Sequence, residues 1–146
     1  MWKQISDPVK DRIDYPRAED LLKAYTAAME DTSGGQMVDL FTEDAIYEYD
    51  PSLEPIVGHN AIFEQMNRQA DAYERIEFTI ERFWVVTSSV LASYHATLTP
   101  HGHRDHPVRV HGFLTLEMRG NLIARLRQWS EGRGMGESVD WIVREK

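Results

Sequence analysis

The chain has 146 residues, 42% hydrophobic and 27% charged, which suits one ordinary soluble domain whose core needs no covalent staple. Twenty-four acidic against sixteen basic residues give a formal charge of −8, a balance that repels phosphate backbones and anionic lipid and so argues against nucleic-acid and membrane-surface partners. With no cysteine, disulfides, thiolate nucleophiles and cysteine-held metals are excluded. No apolar run approaches the roughly 20 residues that cross a bilayer, the first residues carry no secretory apolar segment, and the expected compartment is the cytoplasm.

Pro16 followed by Arg17-Ala18-Glu19-Asp20 predicts a helix start, with proline in the first turn and acids at the positive end. Leu21, Leu22, Tyr25, Ala28 and Met29 recur at helical spacing until Ser33-Gly34-Gly35 stops the run. Met37, Leu40 and Phe41 suggest a short second helix. Ala45 to Asp50 alternates like a strand that ends at Pro51, and Pro55 and Gly58 mark a loop. A further helix is expected from Asn60 to Tyr73, burying Ile62, Phe63, Met66, Ala70 and Tyr73.

From Ile76 the period changes to two. Ile76 to Val86 and Val90 to Thr99 read as strands joined by a turn, and Pro100 to Pro107 as a polar loop. On the next strand Val108, Val110, Leu114, Leu116 and Met118 share one side, with Arg109, His111, Thr115 and Glu117 on the other. Arg119-Gly120-Asn121 turns the chain into a last strand, Leu122 to Ser130. Helices first and strands afterwards argue for an α+β layer packing. The tail carries Val139, Trp141, Ile142 and Val143 at mixed spacing, consistent with a short helix or strand, and Trp84, Trp129 and Trp141 join Tyr47 and Tyr49 as expected core or pocket lining.

Five of six histidines fall within seventeen residues: His95, His101, His103, His106 and His111. The string His101-Gly102-His103-Arg104-Asp105-His106 resembles the metal-binding pattern of the metallo-β-lactamase superfamily, but the likeness covers only those residues and lies on an expected hairpin tip. A solvated loop is the preferred reading, and no metal is assigned.

A second resemblance covers roughly residues 17 to 132. Leu40-Phe41-Thr42-Glu43-Asp44-Ala45, then Tyr49-Asp50-Pro51 with Glu54-Pro55 and Gly58, then Asn60-Ala61-Ile62, resembles the nuclear transport factor 2-like superfamily, especially its ketosteroid isomerase and SnoaL-like branches. The block from Gly112 to Ile123, running into Gln128-Trp129, resembles its closing hairpin. The resemblance implies one SnoaL-like domain over residues 1–146, with an extension at 1–15 and a tail at 133–146. Its implied shape is a cone-shaped α+β barrel, a curved antiparallel sheet wrapped around a long helix with an interior pocket for a small hydrophobic molecule.

Carried over residue by residue, the resemblance makes Asp50 the general base, unless Tyr49 takes the inward place, and Tyr25 the oxyanion donor. The second donor position falls on Gly112, so true ketosteroid isomerization is not expected. Tyr94-His95 with Pro100-His101 resembles scytalone dehydratase, which implies strand histidines His95 and His111 as acid/base partners of Asp50. Strict alternation sends His111 outward if Val110 and Leu114 point inward, unless a bulge resets it. Expected ligand contacts are Tyr49, Phe63, Met66, Leu114, Arg127 and Trp129. Arg125, Arg127 and Trp129 share one face of the last strand, either the pocket face or the outer one. The function read from this set is cofactor-free acid/base chemistry of isomerase, dehydratase or cyclase type on a hydrophobic cyclic carbonyl or hydroxyl compound, by a homodimer. The alternative is a noncatalytic ligand-binding or dimerization module of the same fold.

Overall fold

A computed structural model describes residues 5–31, 35–50 and 52–130. Helix α1 runs Tyr15–Glu30: Asp14 caps it by accepting the Arg17 amide at 2.9 Å, and Pro16 sits in the first turn. Its buried stripe, Ala18, Leu22, Tyr25, Ala28 and Met29, follows the predicted period. The short second helix α2 spans Gly35–Val38, earlier than expected, because Phe41 already opens strand β1 (Phe41–Glu48). The expected loop around Pro55 contains a two-residue strand β2, Ile56–Val57. Gly58, at φ 92°, makes the left-handed turn into α3, His59–Ala72. Four long strands follow: β3 Tyr73–Val86, β4 Ser89–Pro100, β5 Val108–Arg119 and β6 Leu122–Ser130.

The sheet order is β2-β1-β6-β5-β4-β3. One expectation needs correction: β1 runs parallel to β6, so the curved sheet is mixed, not antiparallel, and it is not closed into a barrel. The physical reason is that β1 is separated from the hairpin series by α3 and slots beside the last strand, where no tight turn dictates direction. Irregular register in β1, at Ile80/Arg82 of β3 and at Glu117/Met118 bends the sheet.

The concave face holds the core. Val90, Ala92, Tyr94, Ala96 and Leu98 of β4 alternate inward and pack with Leu114, Leu116, Leu126, α1 and α3. Each large apolar side chain taken fully out of water stabilises this packing by about 2 kcal/mol. The N-terminal segment is tied in: the Ile13 amide donates to the Thr87 carbonyl, and Asp11 accepts the Gly120 amide at 2.9 Å. The tail at 133–146, with Trp141, lies outside the described residues. Among the described residues no helix is long and apolar enough to cross a membrane.

Candidate functional site

A polar cluster sits inside the apolar core. Tyr25 from α1, Tyr47 from β1 and Tyr94 from β4 are each at most 1% exposed. The Tyr47 hydroxyl donates to Gln128 Oε1 at 3.2 Å, and Gln128 Nε2 donates to the Tyr94 oxygen at 3.0 Å. Tyr94 in turn donates to the Trp129 carbonyl over a long 3.4 Å, a weak hydrogen bond. Phe78 lies between the rings, stacked on Tyr94 at 4.8 Å and edge-on to Tyr25 at 5.6 Å. Among the described residues the Tyr25 hydroxyl and Gln69 Nε2 are buried without a hydrogen bond, and the Gln69 amide lies beside Tyr47. Burial, reinforced by the neighbouring phenols, pushes Tyr25 and Tyr47 above the ordinary tyrosine range, and burial pushes Tyr94 up as well. All three therefore stay protonated at neutral pH and can donate to an oxygen gathering negative charge.

Gly112 explains how this cluster is built. It pairs with Tyr94 across β4 and β5, and a Cβ there would stand 1.9 Å from the Trp129 carbonyl and 2.8 Å from the Tyr94 hydroxyl. Only glycine lets β6 approach so closely, and the Tyr94 hydroxyl uses the space a side chain would fill. The Tyr94 phenol thus occupies the space beside Gly112.

Asp50 lies at the end of β1. It is 6% exposed, and its Oδ1 accepts the Ser52 amide at 2.9 Å and the Ser52 hydroxyl at 2.8 Å. Its Oδ2 is buried and makes no hydrogen bond among the described residues. With Glu48, Leu53, Pro55, Arg127, Gln128 and Trp129 it lines a cleft of about 290 Å³. Tyr49, by contrast, packs with Tyr47 against the core, ring centres 5.9 Å apart. Gln128 belongs to both the cleft wall and the tyrosine cluster.

The two strand histidines do not join this group. Tyr94 and Val110 are buried inward, so alternation turns His95 and His111 to the outer face, away from Tyr25. The bulge that would reset His111 is absent from the β4–β5 register. Phe63 is 41% exposed because α3 buries Ile62, Gln65, Met66 and Gln69 instead, which corrects its expected inward place. Met66 and Leu114 are in the core. Arg125 and Arg127 alternate with the inward Leu126 and Gln128: Arg125 is buried 3.7 Å from Glu117, and Arg127 pairs with Glu48 at 2.5 Å on the wall of the Asp50 cleft, where a ligand contact was expected. Trp129, 40% exposed, is not a core residue but lines the Asp50 cleft, and Trp84, 47% exposed, is not in the core either. In the histidine loop, His101 Nε2 lies 3.2 Å from the Ala70 carbonyl and Arg104 forks onto Glu74 at 2.6 Å. Among the described residues no three histidine or carboxylate side chains are grouped to hold a metal ion.

Sequence reasoning missed Tyr94, Gln128 and Gln69. The signal was available: each interrupts an apolar face, Tyr94 between Ala92 and Ala96, Gln128 two residues after Leu126, and Gln69 one turn after Met66. A polar side chain on an apolar stripe demands a partner, and Tyr94 and Gln128 are each other's.

No curated protein matches the chain. Among solved structures it resembles a candidate aromatic ring hydroxylase from Novosphingobium aromaticivorans, with TM-score 0.73, 23% identity, and 85% of this chain and 94% of that one covered. A candidate SnoaL-like polyketide cyclase from Shewanella denitrificans aligns with TM-score 0.71 at 14% identity, covering 87% and 99%. An LEH-like epoxide hydrolase of M. tuberculosis gives 0.69 at 16%, covering 85% of each chain. At these identities the likeness establishes the fold alone. The SnoaL-like domain pattern itself matches residues 22–126, and the chain belongs to that family, within the nuclear transport factor 2-like superfamily.

Proposed function

We propose that the chain is a cofactor-free acid/base enzyme acting on a small hydrophobic, cyclic carbonyl or hydroxyl compound. The observation that carries this reading is Asp50: a nearly dry carboxylate with one oxygen fixed by Ser52 and the other without a hydrogen bond among the described residues, on the wall of a cleft it shares with Gln128. A carboxylate held this way can take a proton from carbon beside a carbonyl. Tyr25 and Tyr94 supply the donors for the resulting enolate oxygen, with Tyr47 and Gln128 fixing the orientation of Tyr94. The proton returns to the same carbon or to a neighbouring one, so no cofactor enters the balance.

The test uses a probe, since proton abstraction can be followed without knowing the natural substrate. The chain is expected to exchange the α-hydrogens of 2-tetralone for deuterium in D2O, with Asp50→Asn reduced to the buffer rate and still folded. Tyr25→Phe is expected to slow exchange about a hundredfold. Exchange unchanged in Asp50→Asn overturns the assignment.

The outward direction of His95 and His111 removes the dehydratase-like pair and favours a second reading, a binding module without turnover. Saturable binding of 2-naphthol, weakened about tenfold in Tyr25→Phe, together with no exchange of any cyclic ketone, selects that reading.

A further inference from the structure

We infer that His95 and His111 form a solvent-facing site for one divalent transition ion of the zinc, nickel or copper class, with Glu81 positioning His95. The inference does not depend on the proposed function, because His95 and His111 belong neither to the Asp50 cleft nor to the tyrosine cluster.

The two histidines are direct cross-strand partners on β4 and β5, and their rings stand 6.0 Å apart, centre to centre, tilted by 44°. Two imidazoles sharing a tetrahedral ion, each at roughly 2.0 to 2.1 Å from it, place their ring centres about 5 Å apart. The remaining difference is within reach of side-chain torsions on an open face, where the His95 side chain is 45% exposed and His111 is exposed. No backbone movement is needed, since the strand pairing already sets the spacing.

Glu81 is the second observation. It occupies the irregular step of β3 between Ile80 and Arg82, and its carboxylate lies 3.7 Å from His95 Nδ1. That distance is electrostatic contact, longer than a hydrogen bond. A carboxylate facing Nδ1 favours the tautomer with its proton there, leaving the Nε2 lone pair for an ion, as carboxylate partners do for metal-binding histidines generally. Imidazole donors select borderline ions over magnesium or calcium. With two protein ligands, the other coordination positions are taken by water. The conspicuous loop offers a poorer set, since the ring of His101 already contacts the Ala70 carbonyl.

The experiment uses full-length, tag-free protein carrying His101→Gln, His103→Gln and His106→Gln, so that loop scavenging is silenced. Zinc titration by calorimetry is expected to give one saturable site per chain, and one equivalent of Cu²⁺ is expected to show two-nitrogen ligation by electron paramagnetic resonance. Adding His95→Gln or His111→Gln abolishes the site, and Glu81→Gln weakens it about tenfold. Zinc also raises the melting temperature of the background protein and not of the histidine variants. No saturable binding in the background, or binding retained when both strand histidines are replaced, overturns the inference. Half an ion per chain overturns it in favour of a site shared between copies, and unchanged affinity in Glu81→Gln overturns the positioning role.

Discussion

Tyr94 and His95 are consecutive residues on β4 with opposite fates. Tyr94 is fully buried, its phenol held above the ordinary range by burial and tied to Gln128, whereas the His95 side chain is 45% exposed beside a carboxylate. The same contrast repeats across β5, where Leu114 is in the core and His111 faces outward. Around β4 and β5 the sheet therefore presents two chemistries, a dry inner face of neutral donors and a wet outer face that carries the imidazoles. A polar group inside must find a partner or remain a poised donor, while a polar group outside is satisfied by water and is free to recruit an ion.

The largest way to break this contrast is alkaline pH. The three inner phenols have raised values in the fold, so the stability they confer is complete below the ordinary tyrosine range near pH 10. Above it the unfolded chain ionises first, and stability falls until the fold collapses. Absorbance of tyrosinate should show these phenols silent up to a cooperative step that coincides with loss of circular dichroism; gradual ionisation of all six tyrosines would contradict their burial.

Gly112→Ala comes next. The added Cβ meets the Trp129 carbonyl, so β5 and β6 must separate or Tyr94 must move, at a cost of about 3 kcal/mol in urea denaturation. A nearly neutral result would mean that the close approach is not needed. Smaller effects of opposite sign distinguish two inner tyrosines. Tyr47→Phe removes the hydrogen bond to Gln128 and is expected to destabilise by about 1 kcal/mol, while Tyr25→Phe removes a desolvated hydroxyl and is expected to stabilise by a similar amount. Stabilisation that coincides with slower exchange would mark Tyr25 as a residue held for function at the expense of stability. Last, His111→Thr on the outer face should shift stability by less than about 0.5 kcal/mol. A large loss there would mean that the outer face is packed against something.

Much of the fold was legible because local physics decides it. Pro16 with the α1 stripe, the period change near Ile76 and the turns at Thr87 and Gly120 placed four strands and two helices close to their observed limits. Tyr25 was legible as an inward residue for the same reason, since it lies on the apolar stripe of α1. Phe63 misled because an apolar residue one position off a helical stripe looks the same in sequence whether the helix is turned to bury it or not. The parallel pairing of β1 with β6 left no local signal, as it joins residues far apart in the chain without a turn.

What the sequence determined by itself is thus the periodic part: which residues share a face, where faces begin and end, and the family to which those faces belong. Only the tertiary structure decided which face of each strand is inside. Alternation assigns Tyr94 and His95 to opposite sides but is indifferent to which side is dry, and that choice was made by α1 and α3 packing on the concave surface. The tight pass of β6 over Gly112 then set the Tyr94 hydroxyl in the space a side chain at 112 would fill, and the same packing left His95 and His111 to water.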